Sequence, residues 1–413
     1  MEKMKSLKLF DYLLCAFFAV NVSRNICLMI GISTVATALF YASYVLFFVM
    51  IQYLFFSRCA KNEYMTGSFI FSVLLIALLL IIPSTYGFDM WVSKSYLPIS
   101  FFLTMAFFIA SKSVVVSELT MKICYMIQVL QALVALICSL FQNSFIDGAL
   151  ELKIGNPNQT AVMLWANFVF VFLYWAKSRY RSKGSFTLGC IMAGLIVLIC
   201  LTKSRAVLLS LLICCCGYFF IKLFYGKKMF PRTIQIILFC APLWTPIFLV
   251  LLSRTLPDDI VILNKSLFSG REHIWEKIFE EALKNPFACH LDSSPYYSII
   301  NVNNTETLKA WGCHNGFLSV MWNYSVCCLI LVIVVLYNCI KPVQKKMNDC
   351  FMAKMIYLVV MASIVSLSFE DALLIGNICT TFMTPVLLIF GRTEEINREY
   401  RSSKGGINEQ VKS

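Results

Sequence analysis

The sequence predicts an all-α polytopic membrane protein with about twelve transmembrane helices, and three observations carry the prediction. Hydrophobic residues make up 59% of the chain and charged residues 14%, where a soluble domain carries roughly 25% charged. Apolar runs recur along the chain, several of them about 20 residues long, the length a helix needs to cross a bilayer. The runs are continuous rather than alternating. Of the two structures that satisfy their backbone in lipid, helices and closed barrels, that pattern selects helices.

Taken in order, the spans fall at about Leu9–Ile30, Thr34–Phe56, Thr66–Ile82, Leu97–Ala110, Met121–Phe141 and Gln159–Ala176. They continue at Phe186–Leu201, Ala206–Phe224, Thr233–Leu252, Gly316–Tyr337, Phe351–Phe369 and Leu373–Phe390. The first holds Asp11 and Arg24, lacks a small-residue cleavage site and runs on into further spans, so it reads as an uncleaved anchor. The chain then divides into helices 1–9 over residues 1–252, a large hydrophilic loop over 253–315, helices 10–12 over 316–390 and a tail over 391–413. The tail is polar and short, and disorder is expected there.

The net charge of +13 sorts by side of the membrane. With the N-terminus in the cytoplasm, the inner segments receive Lys3, Lys5 and Lys8, then Arg58 and Lys61, then Lys112 and Lys122. They also receive the cluster Lys177, Arg179, Arg181 and Lys183, then Lys222, Lys227, Lys228 and Arg232, then Lys341, Lys345 and Lys346. The tail adds Arg392, Arg398, Arg401, Lys404 and Lys412. This is the positive-inside pattern with both termini cytoplasmic, and it accounts for the charge without nucleic acid. A missed helix would invert everything after it, so the pattern also supports the span count.

Most of the 18 cysteines lie in apolar runs, as Cys214, Cys215 and Cys216 do, where they act as small hydrophobes. No Cys-x-x-Cys pair or Cys/His metal spacing occurs, so no metal is expected. Cys289 and Cys313 share the large loop and read as two free thiols, with a disulfide between them as the alternative. That extracytoplasmic loop also holds His273, His290 and His314, and a loop of such length without a role is uncommon. Within it, residues 269–285 read as an amphipathic helix that does not span. Ser269 and Glu272 make a capping box, Ile274, Trp275, Ile278, Phe279 and Ala282 line one apolar stripe, and Pro286 stops it. Its charge and length place it on the outer membrane surface.

Candidate functional residues gather on that outer side. Lys203 and Arg205 interrupt two apolar spans with almost no loop, at an insertion cost of about 2.5–3.5 kcal/mol each. The outer face needs no positive charge for topology, so the pair reads as an anion site, against the plainer alternative that both snorkel to lipid headgroups. The planar fork of Arg suits phosphate, and Arg205 meeting Arg271 would hold a pyrophosphate. His314 stands where the loop re-enters the membrane and can take a proton near neutral pH; otherwise it is a cap or surface residue. Asn315 would orient it or bind a sugar hydroxyl. Gly155-Asn156-Pro157-Asn158-Gln159-Thr160 leads into the sixth span, with Asn158 a binding candidate or simply part of a turn and cap. Glu370 and Asp371, between the last two spans, pair with Arg, bind sugar or terminate helices.

The order Thr202-Lys203-Ser204-Arg205, Gly270-Arg271-Glu272-His273-Ile274-Trp275, Asn285-Pro286-Phe287 and His314-Asn315 resembles the bacterial O-antigen polymerase and O-antigen ligase family. That family's pattern is a Ser-Arg at a span start, a Gly-Arg-x-x-x-Trp helix in the large outer loop and a His-Asn before the following span. The resemblance covers roughly the second half of the chain; the first half matches only in span count and topology. Two departures stand out: Ala288-Cys289-His290 replace the glycines that often follow Asn-Pro-Phe, and Lys203 replaces a small residue before Ser-Arg.

The resemblance implies a metal-independent, inverting glycosyltransferase of the C-type membrane fold, without a cofactor, in the bacterial cytoplasmic membrane with its site facing outward. Its donor would be a glycan on undecaprenyl pyrophosphate. Arg205 and Arg271 would bind the pyrophosphate and stabilise it as leaving group. His314 would activate the acceptor hydroxyl as general base or position it, with Asn315 in support, and Lys203, Asn158, Trp275 and Glu370 are the further substrate-binding candidates. Partners would be the lipid-linked oligosaccharide, the bilayer, a flippase and a chain-length regulator. The leading expectation is a polymerase joining repeat units into O-antigen or capsule. A ligase would pass finished glycan from the same donor to a lipid core or protein. A flippase would place charges deep within spans along a central path, and a structural membrane protein would not need Arg205, Arg271 and His314 on one face.

Overall fold

A computed structural model describes residues 2–59, 96–111, 114–141, 144–146, 148–154, 156–180, 186–223, 232–255, 261–262, 265–266, 271–290, 294–302, 305–370, 383–393 and 395–402. The predicted third span, the start of the twelfth, Ser269 of the capping box and Asp371 lie outside these residues. The described helices begin with α1 (Glu2–Ile30), α2 (Ser33–Cys59), α3 (Tyr96–Ser111), α4 (Glu118–Cys138), α5 (Pro157–Tyr180), α6 (Phe186–Leu201) and α7 (Arg205–Leu223). They are followed by α8 (Arg232–Phe239), α9 (Ala241–Ser253), α10 (Arg271–Lys284), α11 (Gly316–Tyr324), α12 (Val326–Lys346), α13 (Phe351–Ser366) and α14 (Met383–Phe390). A last helix, α15, covers residues 395–402. Among the described residues six helices are long and apolar enough to cross a membrane, so the chain is a polytopic α-helical membrane protein.

Two predicted spans are broken. α8 and α9 meet at a 71° bend. Pro242 has no N–H to give the Leu238 carbonyl and its ring crowds it, which ends one helix and starts the next. α11 and α12 part at Ser325, whose φ is 101°. The loop supplies partners for the backbone groups freed there. The Pro286 carbonyl accepts from the Val326 N–H at 3.1 Å, and the His290 N–H donates to the Trp322 carbonyl at 3.1 Å. Unpaired backbone is not tolerated in lipid, so the Asn285-Pro286-Phe287 stretch is part of the helix packing rather than a free loop.

The loops add antiparallel ribbons to the all-α expectation. β1 (Phe145–Ile146) pairs β2 (Ala149–Leu150), β3 (Val261–Ile262) pairs β4 (Lys265–Ser266), and β5 (Tyr296–Val302) pairs β6 (Thr305–Trp311). The last sets Tyr296 opposite Trp311 and Val302 opposite Thr305. Its strands are rich in Tyr, Ile, Val and Thr around Asn303-Asn304, a hairpin signal.

α13 is the axis of the second half. Every residue from Met352 to Ser366 is buried, which an apolar helix reaches only when other helices enclose it. It packs on α5, α7, α8, α9, α12 and α14. Gly217 allows α7 to come close, since a Cβ there would stand 2.3 Å from a Leu358 methyl. The Ser210 hydroxyl donates to the Ala362 carbonyl at 2.8 Å, and the Trp165 indole N–H to the Ser363 hydroxyl at 3.1 Å.

The described part of the tail, residues 391–393 and α15, packs on the bundle, against the expectation of disorder. Its polar groups find buried partners. Lys177 pairs with Glu118 at 3.1 Å and Glu395 at 2.7 Å, and Arg392 donates to the Ser111 carbonyl at 2.6 Å. The Cys350 thiol donates to one Glu399 oxygen at 2.8 Å, and the other accepts from the Phe351 N–H at 3.4 Å. A carboxylate at the start of α13 suits the positive end of the helix dipole. Burial, followed by the bond to Glu399, pushes the Cys350 thiol up to about 12. These contacts define the tail end of the bundle; the opposite, loop end carries the candidate site.

Candidate functional site

The last carbonyls of α13 accept from the turn that follows it, Leu367–Glu370, and the site is assembled on the carbonyls of that turn. The Leu367 carbonyl accepts from the Gly316 N–H at 2.8 Å. The Ser368 carbonyl accepts from Asn315 Nδ2 at 3.1 Å, and the Phe369 carbonyl from Arg271 Nη1 at 3.0 Å. Glu370 adds a carboxylate 3.9 Å from Arg271 Nη2. One turn therefore docks Arg271 and the His314-Asn315 pair, which come from opposite ends of the large loop. Of the roles expected for Glu370, pairing with Arg is the one realised.

Arg205 opens α7 directly after a tight turn in which Lys203 takes a left-handed conformation, φ 53°. Arg205 is half-buried and lies within electrostatic range of Arg271, whose positive charge opposes its own. Two like charges held together in a partly buried place repel, and an anion between them relieves that cost. Lys203 Nζ reaches the β1–β2 turn, 3.4 Å from where a Cβ on Gly148 would stand. Lys153 belongs to the same end. It follows the buried Leu152, both are left-handed, and its Nζ lies against Gly31 at the end of α1. The signal for Lys153 was available: a basic residue in a segment otherwise poor in them.

His314 is half-buried with φ 50°, uncommon for a residue with a side chain. The residues on either side hold it there. Trp275 Nε1 donates to the Cys313 carbonyl at 2.8 Å. Asn315 is fully buried and caps α11: its Oδ1 accepts from the Phe317 and Leu318 N–H groups, both at 2.9 Å. Its Nδ2 donates to the Pro242 carbonyl at 2.8 Å as well as to Ser368.

These contacts correct two expected roles. The Asn315 amide has both donors and its oxygen engaged, so it positions the turn and has no atom left for a sugar hydroxyl. Trp275 is 1% exposed, its only polar atom serves Cys313, and its ring lies 6.4 Å from that of Phe369. It is a positioning residue, not a substrate-binding one. The stripe it belongs to also faces protein: Ile274, Trp275 and Ile278 are buried and α10 packs on α9 and α11.

Asn158 sits half-buried in the first turn of α5. Asn156 supplies the cap there, its Oδ1 accepting from the Gln159 N–H at 2.9 Å, and the Thr160 hydroxyl donates to the Glu151 carbonyl. Those described contacts tie the segment to the β1–β2 ribbon and do not join Asn158 to the arginine pair. Cys289 and Cys313 are free thiols, as read. His290 stacks on Trp322 with ring centroids 4.2 Å apart, and His273 lies 3.6 Å from Glu272 with its side chain 66% exposed. The chain matches no protein-family model, no curated protein and no solved structure.

Proposed function

We propose that the chain is a metal-independent, inverting glycosyltransferase that polymerises undecaprenyl-pyrophosphate-linked repeat units into O-antigen or capsular polysaccharide. In this reading it has about twelve spans in a C-type fold, cytoplasmic termini, and a site on the outer face of the bacterial cytoplasmic membrane. The single observation that supports it is that Arg271 and the His314-Asn315 pair dock on one turn, with Arg205 within electrostatic range of Arg271. The order of motifs in the sequence supports it independently.

The acceptor hydroxyl attacks the anomeric carbon of the donor sugar from the face opposite the pyrophosphate. The new C–O bond forms as the bond to phosphate breaks, and undecaprenyl pyrophosphate leaves with the electron pair. His314 takes the hydroxyl proton. Arg205 and Arg271 meet the charge that grows on the leaving group, which is stabilisation of the transition state more than of the bound donor. Glu370 and the Phe369 carbonyl hold Arg271 in place, so the fork does not have to be ordered at the moment of reaction. Lys203 adds positive charge at the same end.

The test is a polymer ladder from cells lacking the protein, complemented with wild type, His314→Ala or Arg271→Ala at equal membrane levels. Wild type is expected to restore the ladder, and both variants to leave single repeat units. Loss of single units from the outer face in the knockout would mean a flippase. Long lipid-linked chains that are never attached to a final acceptor would mean a ligase. Variants that act like wild type would remove both residues from the mechanism.

A further inference from the structure

α1, α4 and α5 meet around an aromatic knot deep in the bundle. Phe18 stands edge-on to Phe170 at 5.3 Å, and Tyr125 lies 6.3 Å from Phe170. Phe390 of α14 reaches all of them, at 6.5 Å from Phe18, 5.6 Å from Tyr125 and 5.9 Å from Phe170. One turn nearer the loop end, each of the three helices carries a carboxamide. Asn21 comes three residues after Phe18, Gln128 three after Tyr125, and Asn167 three before Phe170 on α5, which runs the other way. Residues three apart share a helix face, so the three amides converge on one layer between the same helices. Asn21 and Asn167 also sit near the middle of their spans, Leu9–Ile30 and Pro157–Ser178.

These amides are 1%, 2% and 0% exposed in that order. Asn21 Oδ1, Gln128 Oε1, both polar atoms of Asn167, the Tyr125 hydroxyl and Gln131 Nε2 are buried with no hydrogen-bond partner among the described residues. Groups of this kind are costly inside a bilayer, and buried polar atoms are almost always paired with protein or ordered water. The orphaned set mixes donors with acceptors. A cation would want acceptors alone, whereas water offers both, making about three bonds to such groups.

We propose that Asn21, Gln128 and Asn167 line a buried site inside the membrane that binds ordered water. Asn25, a turn beyond Asn21, and Gln131, a turn beyond Gln128, extend the polar stripe on two packed helices toward Gly31 and Lys153. Water reaches the layer from the loop end along that stripe. The site uses none of the residues assigned to glycosyl transfer and does not depend on that reading.

Radiolytic hydroxyl-radical footprinting of the full chain in nanodiscs tests it, because radicals formed from water label only the side chains beside it. Tyr125 is 0% exposed, yet labelling at a rate comparable with Tyr297, 43% exposed in the loop, is expected. Phe107, equally buried in an aromatic contact with Phe47, is expected to stay unlabelled. Asn167→Leu gives a second readout: it lowers Tm if water partners are lost, and raises Tm if a dry orphan is removed. A Tyr125 as silent as Phe107 would overturn the proposal, and so would a Tm that rises with NaCl but not with choline chloride in an unlabelled protein.

Discussion

The two ends of α13 meet the same physical demand in different ways. At the loop end the carbonyls of the turn that follows the helix take donors from separate parts of the chain: Gly316, Asn315 and Arg271. At the tail end its first N–H meets a carboxylate from one short segment, Glu399. Both arrangements complement the helix dipole. The first brings chemically capable groups to one turn, while the second fastens the bundle. Pairing a helix terminus therefore becomes a means of building a site only where distant segments share it.

Asn315→Leu should break the loop end most severely. It leaves the Phe317 and Leu318 N–H groups and the Pro242 and Ser368 carbonyls without their partner, at about 1–3 kcal/mol for each buried group. Loss of folded protein from the membrane is expected, read by size-exclusion of the solubilised chain; a wild-type profile would refute the account. Trp275→Phe keeps a six-membered ring but loses the five-membered one, which frees the Cys313 carbonyl at about 1–3 kcal/mol and leaves a small cavity at a buried site. The protein should fold with a lowered Tm and make fewer polymer bands, because His314 loses one of the two flanking restraints. Unchanged polymer with a lowered Tm would separate packing from positioning.

Glu399→Gln, at the tail end, should cost least, about 0.3–1 kcal/mol, with the ladder unchanged. Its sharper readout is Cys350. A thiol pushed up to about 12 is neutral at pH 8, and the thiolate is the reactive form. Cys350 should resist N-ethylmaleimide at pH 8 in wild type and react faster in the variant, followed by peptide mass spectrometry. The sign on stability follows: the neutral thiol is favoured by the fold, so that contribution is complete below the ordinary thiol range and fades as pH climbs toward the raised value. Equal reaction in both proteins would remove the Glu399 contact from the account.

Hydropathy made the long helices legible because lipid imposes one requirement on all of them, as in Glu118–Cys138 or Arg205–Leu223. It could not show the bends at Pro242 and Ser325, since the composition stays apolar across both. Pro242 was nonetheless a visible breaker, whereas Ser325 is broken by partners from Pro286 and His290 that are remote in sequence. In the site, Arg205 could be picked out by charge at membrane depth, Arg271 by its place in the amphipathic loop helix and His314 by its place where the loop re-enters the membrane. The turn at Leu367–Glu370 that joins them could not, because it acts through main-chain carbonyls that every residue possesses. Trp275 and Asn315 illustrate the same limit: their residue types suit sugar recognition, and only their contacts reveal that they serve the backbone. The tail was misread because a polar segment gives no sign of the buried Lys177 that awaits it.

The enclosure of α13 also bears on how the protein is made. A helix buried on every side, Lys354 included, has no surface suited to a long wait in lipid. It emerges after the helices it packs against in α5, α7, α8, α9 and α12 have already been inserted. During synthesis those helices must stand as an open cradle, exposing the Ser210 hydroxyl and the Trp165 indole until their partners on α13 arrive. Insertion of α13, and then of α14 against it, thus closes the bundle, and a nascent chain halted before Phe351 is left with that cradle open.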